Sequence, residues 1–358
     1  MRRITRVVRV DAQAPDPKVM AEAGLALRAG ELVAFPTETV YGLGADAFHE
    51  QAVRRIFEVK GRPADNPVIV HVASVDEVLA VARPDPGGRW ELLARRFWPG
   101  PLTMVLPCRA EVPPATTAGL DTVAVRMPRH AVALALIRAA GRPVAAPSAN
   151  RSGRPSPSRA EHVLEDLNGL VEWVLDAGPC EVGVESTVLD LTAEVPLVLR
   201  PGGLTVEALR EVLGEVAVSG AEAGRPRSPG LKYRHYAPQA PTVVLIGPPQ
   251  AVAACIRREL RQRAGSGRRL GLLITEETLR CLVDSGEPLD GADVFCTGSR
   301  HRLATVARAL FEGLRQLDSG APERILAEAV EEAGLGLAIN NRLRKAAGGR
   351  VVRCVERP

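Results

Sequence analysis

The sequence predicts a two-domain α/β protein, in which a mixed α+β domain precedes a small doubly wound one. Three observations carry this expectation. The chain has 358 residues, long for one compact core and comfortable for two. Its first half reads as many short strands without strict strand and helix alternation, which favours a mixed sheet. After a stretch punctuated by Gly and Pro, strands and helices alternate regularly, as in a parallel α/β layer. The predicted boundaries are 1–215 for the first domain, 216–240 for a linker and 241–358 for the second domain.

In the first half "ITRVVRV" and "ELVAFP" read as strands, and "DPKVMAEAGLALRAG" between them has helical spacing closed by Gly30. Further strands are expected at "PVIVHV", "LTMVLP", "TVAVRMP", "WVLD", "STVLDL" and "PLVLRP", with helices near 48–59, 75–82, 130–140 and 159–168. Capping boxes mark two helix starts, Ser74 with Glu77 and Ser158 with Glu161. In the second domain strands "TVVLIG", "RLGLLIT", "DVFCTG" and "RILAEAV" alternate with helices at 249–264, after "RLGLLIT", at 301–317 and at 335–346.

Hydrophobic content of 46% and charged content of 25% exclude disordered and collagen-like classes. Arginines interrupt the apolar residues of "MRRITRVVRV" and no apolar run approaches a membrane span, so a cytoplasmic protein without membrane contact is expected. Six scattered cysteines form no C-x-x-C pair, which predicts reduced thiols and no structural zinc. Residues 1–215 carry 24 Lys+Arg against 27 Asp+Glu, a net −3, and residues 216–358 carry 22 against 15, a net +7. That basic excess is thinner than a nucleic-acid stripe. Arginine outnumbers lysine 42 to 4, so Lys60 and Lys232 stand out inside polar motifs, as do Tyr41, Tyr233 and Tyr236, all the tyrosines of the chain.

The candidate chemistry lies in a few short segments. "AFPTETVYGLGADA" formally matches G-x-G-x-x-A at Gly42–Ala47, but six residues separate the strand from Gly42 and no acidic residue ends the next strand. A loop in which Thr37, Glu38 and Thr39 face a ligand fits better. In "KGRPADNPVIVHV", Lys60 and Arg62 flank a glycine just after a helix and can converge on one phosphate. Asn66 precedes a proline that starts the strand, and His71 within that strand is either a core histidine or a site residue. Arg126 interrupts an apolar strand, and a buried arginine needs an acidic partner or a ligand carboxylate. "PVAAPSANRSGRPSPS" offers Ser148, Asn150, Ser152, Ser156 and Ser158 on a proline-stiffened loop; "VGVESTVLD" adds Ser186 and Thr187, and "VLRPGG" adds Arg200. Several cations and hydroxyls without an evident nucleophile make a pocket for nucleotidyl or phosphoryl transfer, catalysed by positioning and charge neutralisation.

"KGR" and "PSAN", together with "FPTETVYGLG", "FWPGPLT", "ESTVLD" and "RPG", resemble the YrdC-like domain. "SPGLKYRHYAP" followed by a second α/β domain is similar to the linker of the long, two-domain threonylcarbamoyl-AMP synthases; Leu231 stands where a methionine is expected. The resemblance runs from about residue 15 to about residue 350 and implies a twisted mixed sheet around a large basic cavity, with a Rossmann-like second domain. It implies the first step of tRNA threonylcarbamoyladenosine formation: L-threonine, bicarbonate and ATP with Mg2+ give threonylcarbamoyl-AMP and pyrophosphate. Thr37, His71, Arg126, Ala146 and Ser186 would hold threonine. Lys60, Arg62, Asn66, Thr122, Ser148, Asn150, Ser156 and Arg200 would surround ATP, Lys60 and Arg62 being the catalytic cations. Tyr236 of "KYRHYAP" would reach the nucleotide as part of a lid, and the product would pass to a downstream tRNA threonylcarbamoyl transferase. An RNA-binding module and a carbamoyl-transferring YrdC-like domain of the hydrogenase-maturation kind are the alternatives; weak tRNA contact is compatible with the first reading.

Overall fold

The computed structural model describes residues 4–83, 88–219, 235–263, 267–286 and 288–355. Among them the first half forms β1 (Arg6–Arg9), α1 (Pro17–Arg28), β2 (Val33–Phe35), β3 (Gly42–Asp46), α2 (Glu50–Lys60), β4 (Ile69–His71), α3 (Val78–Val81), α4 (Arg89–Phe97), β5 (Leu102–Pro107), α5 (Pro114–Thr117), β6 (Thr122–Arg126), α6 (Ala131–Ala140), β7 (Val144–Ala145), α7 (Ala160–Leu167), β8 (Trp173–Asp176), β9 (Thr187–Asp190), β10 (Leu197–Arg200), α8 (Val206–Leu213) and β11 (Ala217–Val218). The second half forms β12 (Thr242–Ile246), α9 (Pro249–Arg263), β13 (Leu270–Ile274), α10 (Glu276–Asp284), β14 (Ala292–Cys296), α11 (Leu303–Ser319), β15 (Arg324–Glu328), α12 (Leu335–Ala346) and β16 (Val351–Arg353). The chain divides into two compact units, Met1–Ser152 with Ser156–Tyr233, and Gly153–Pro155 with Arg234–Pro358.

The first unit is built on one mixed sheet of order β1-β8-β2-β3-β7-β4-β6-β5-β9-β10-β11. β4 and β6 pair in parallel with His71 opposite Arg126, while β7 runs antiparallel to β4 and sets Val144 opposite His71. Asp16 caps α1 by accepting from the Lys18 N–H, and Pro17 opens the helix where no N–H is needed. α1 packs on α6, and Met20, Leu27, Val132, Leu136 and Ile137 join Phe35, Val144 and Trp173 in one buried cluster. Ile69, Val105, Ala124, Val188 and Leu199 form a second cluster on the strands.

The second unit holds an all-parallel sheet of order β14-β13-β15-β12-β16. β12 and β13 connect onward in one direction along the sheet and β14 and β15 in the other, so right-handed crossovers put α9 and α10 on one face and α11 and α12 on the opposite face. The helices pack in those pairs.

Every strand expected from the sequence forms, and the regular second half matches closely. Three features differ. "GLGAD" was expected in a polar loop and is instead β3, fully buried. A Cβ at Gly44 would come within 2.9 Å of both the Phe35 ring and Val144, so this glycine lets strands close over an aromatic ring rather than turn the chain. The Ser158 and Glu161 capping box does not form: α7 starts at Ala160, and the Ser158 N–H donates to His162 Nδ1 at 3.3 Å. α4, α5, α8, β7, β11 and β16 were not anticipated.

The α1 and α6 contact generates a prediction. A Cβ on Gly24 would lie 2.6 Å from the backbone carbon of Ala139. Gly24→Ala should gain about 1 kcal/mol of helix propensity yet lose more by forcing backbone apart, for a net destabilisation of about 1–2 kcal/mol. The urea midpoint should fall; a rise would mean that the two helices separate at no cost.

Candidate functional site

Four buried cations stand at strand or helix ends of the first unit. Lys60 is the last residue of α2, which Gly61 terminates in a left-handed conformation (φ 59°). Its ammonium donates to the carbonyl oxygens of Ser148 and Asn150, and its own carbonyl accepts from the Ser152 N–H at 2.8 Å. The Pro/Ser-rich stretch is thus folded around Lys60. Burial, then the neighbouring Arg62, holds the Lys60 pKa well below its usual value. Arg62 donates to the Asn66 carbonyl at 3.2 Å and the Pro67 carbonyl at 2.9 Å, which clamps the turn leading into β4.

"PSAN" is more ordered than a connecting loop. Ser148 bridges to Gly42, the Leu43 N–H donates to Pro147, and the Ala149 N–H donates to Tyr41. The Ser148 hydroxyl donates to Asn150 Oδ1 at 2.6 Å, and Ser156 donates to Glu185 Oε1 at 2.5 Å. Residues 182–186 tie the segments together: the Val182 and Gly183 N–H groups donate to Glu38 and Thr39 carbonyls, and Ser186 shares a hydroxyl hydrogen bond with Thr103 at 2.8 Å. Arg200, at the end of β10, donates to the Ser186 carbonyl at 2.9 Å and its hydroxyl at 3.2 Å.

Arg126 finds its opposite charge in Glu38, 88 positions away in sequence. The two meet at 2.8 Å with side chains 4% and 1% exposed. The approach lies off the hydrogen-bond direction, so Arg126 Nη2 and both Glu38 oxygens have no hydrogen-bond partner; Nε reaches the Gly100 carbonyl at 3.3 Å. His71 is buried edge-on to Phe35, centroids 6.0 Å apart, with Nδ1 lacking a partner. Burial, followed by the Arg126 charge, lowers its pKa to about 3, so the ring is neutral at working pH. Asn66 Oδ1 is a further buried acceptor without a partner. Buried polar atoms are normally satisfied, so these side chains are taken together as the candidate site.

The structure places the other expected residues as follows. The Thr37 hydroxyl is spent locally, donating to the Val40 carbonyl at 2.7 Å and contacting Thr39 Oγ1 at 2.8 Å. The Ala146 N–H donates to Ile69. Thr122 begins β6, half-buried. Tyr236 sits inside the second unit, 2% exposed, stacked on Phe311 at 5.4 Å with the Arg342 guanidinium 5.6 Å from its ring. Lys232, Tyr233 and Arg234 of the expected lid lie outside the described residues. Also within the second unit, the Ala237 N–H donates to Gly153 and Arg315 donates to Pro155. Sequence reading singled out Arg126 without its partner; Glu38 in "PTET" was the available signal. Glu185, beside the singled-out Ser186, was missed.

A mixed sheet bearing this buried polar set, joined to a parallel α/β unit, defines a two-domain protein of the YrdC-like class. Residues 25–202 match the family described as "Telomere recombination", and residues 204–348 match the threonylcarbamoyl-AMP synthase C-terminal domain. A threonylcarbamoyl-AMP synthase of Pyrococcus abyssi is 48% identical over 98% of this chain and 100% of its own length. One of Bacillus subtilis is 48% identical over 94% and 95%. The crystal structure of P. abyssi Sua5 complexed with L-threonine matches with a TM-score of 0.90 and 46% identity, covering 99% of this chain and 100% of that one. Escherichia coli YciO, at 23% identity and a TM-score of 0.51, shares the fold over 56% of this chain. The chain belongs to the threonylcarbamoyl-AMP synthase family, as the resemblance implied.

Two predictions follow from the buried pair and the histidine. Glu38→Gln would strand the Arg126 charge and should cost about 3–5 kcal/mol, while adding Arg126→Met should restore most of it; denaturant midpoints of both variants test this, and an unchanged midpoint for Glu38→Gln alone contradicts it. His71 resists protonation in the folded state, whereas the unfolded chain takes up that proton below about pH 6.5. Its contribution to stability is therefore complete above that pH and declines as pH falls toward 3. His71→Asn should flatten this part of the stability profile between pH 6.5 and 4, and an imidazole seen titrating near 6.5 by NMR would refute the assignment.

Proposed function

We propose that the chain joins L-threonine, bicarbonate and ATP into threonylcarbamoyl-AMP, releasing pyrophosphate in a nucleotidyl transfer that begins threonylcarbamoyladenosine formation on tRNA. The observation that carries this reading is the unsatisfied polar set of Glu38, His71, Arg126 and Asn66 in the same unit as buried Lys60. The full-length relatives named threonylcarbamoyl-AMP synthase support it, as does the L-threonine complex of the P. abyssi protein.

In this reading threonine lies by Thr37, His71, Arg126, Ala146 and Ser186. A neutral His71 accepts or donates a hydrogen bond without repelling the substrate ammonium. The Arg126 guanidinium, already held against Glu38, takes the substrate carboxylate, and Glu38 offsets its charge before substrate arrives. The threonine amine adds to bicarbonate with loss of water to give a carbamate. A carbamate oxygen then attacks the α-phosphorus of ATP, and pyrophosphate leaves with the bonding electrons.

The nucleotide lies against Arg62, Asn66, Thr122, Ser148, Asn150, Ser156 and Arg200. Lys60 and Arg62 stabilise the charge that develops on the leaving pyrophosphate. Burial disfavours the Lys60 ammonium, and a polyphosphate beside it would oppose that penalty. The residues round Lys60 present cations and neutral acceptors rather than a carboxylate cluster, and among the described residues no group of three His, Cys, Asp or Glu could hold a metal. They fit phosphate oxygens; Mg2+ would enter on ATP and supply further neutralisation there. Among the described residues no helix is long and apolar enough to cross a membrane.

Pyrophosphate release by the purified protein tests the reading. It should require L-threonine and bicarbonate together, and Lys60→Ala should lower it by at least a hundredfold. Release that ignores threonine would overturn the proposed reaction.

A further inference from the structure

The second unit has a cavity of its own, about 750 Å3, at the carboxyl edge of its parallel sheet. That is the volume of a small-molecule site. It opens beside the place where the crossovers part: β13 continues to β14, and β15 continues the opposite way to β16. Open α/β sheets bind ligands outside the carboxyl ends of their strands at such a parting.

The polar groups round this cavity fall into a spent set and an available set. Glu328, at the end of β15, accepts from the Thr275 N–H and from the hydroxyls of Thr275 and Thr278, and Arg300 Nη1 lies 3.7 Å from it. Glu277 accepts from the Ser299 hydroxyl and the Arg300 N–H. These bonds fix the loop after β14 and place Arg300 on the cavity wall. Three further wall residues, Arg280, His301 and Glu331, are exposed, and their side chains make no hydrogen bond or ion pair among the described residues. Arg280 and Arg300 suit a phosphate, with His301 adding charge when protonated. Glu331 suits sugar hydroxyls, which a carboxylate accepts from. Ile246, Pro249 and Val330 supply an apolar wall for a flat ring.

We propose that this cavity is a second ligand site, and that it binds a nucleoside monophosphate. The phosphate meets Arg280 and Arg300, the ribose meets Glu331, and the base lies on the apolar wall. None of its lining residues is among those assigned to threonylcarbamoyl-AMP formation, and the proposal does not depend on that assignment.

Equilibrium dialysis of the full chain with labelled AMP tests the proposal, using wild type, Arg280→Glu and Lys60→Ala. Binding that survives Lys60→Ala and weakens at least tenfold in Arg280→Glu is expected. Pyrophosphate release by Arg280→Glu should match wild type, which confirms that the exposed substitution leaves the fold intact; should release fall, Glu331→Gln serves as the second variant, with the same weakening of AMP expected. AMP binding that disappears in Lys60→Ala, or that is indifferent to Arg280→Glu and Glu331→Gln, overturns the second site. Loss of threonine-dependent pyrophosphate release with AMP still held at Arg280 would instead sink the synthase reading and leave this one standing.

Discussion

A guanidinium inside a β-sheet must be matched by charge or the sheet will not form, and the Glu38 to Arg126 pair meets that demand here. Its geometry is informative because it is incomplete. Close approach secures Coulomb attraction, while misdirected hydrogen bonds leave donor and acceptor capacity on both partners. A fully satisfied pair would be a better strut and a poorer receptor. Burial keeps His71 neutral, and the Arg126 charge adds to burial in opposing an imidazolium.

The other cations obey a different rule. Lys60, Arg62 and Arg200 each grip main-chain carbonyl oxygens. A carbonyl orients a cation without cancelling its formal charge, so these contacts build loops and preserve positive potential together. For Lys60 the gripped carbonyls belong to the Pro/Ser-rich stretch, whose prolines limit the conformations lost on folding. Stiff sequence and buried cation thus produce an ordered loop where composition alone suggests a solvated connector.

Local periodicity made much of the fold legible. The second half alternates strand and helix at ordinary lengths, and its elements appear where the apolar pattern puts them. Gly42 and Gly44 misled because glycine signals a turn by its freedom but can also signal a close approach, and only the position of Phe35 across the sheet separates the two. In the site, residue types announced themselves individually: a rare lysine, an arginine in an apolar strand, hydroxyls among prolines. What stayed hidden were pairings between distant segments. Glu38 meets Arg126, and Ser156 meets Glu185. Such pairings depend on sheet order, which no local window contains.

Gly153–Pro155 belong to the second unit although residues on both sides belong to the first. The polypeptide therefore passes from one unit to the other three times along its length. A single scission in the connecting segment leaves Gly153–Pro155 on the first fragment, so the fragment that begins there lacks three residues of its own unit.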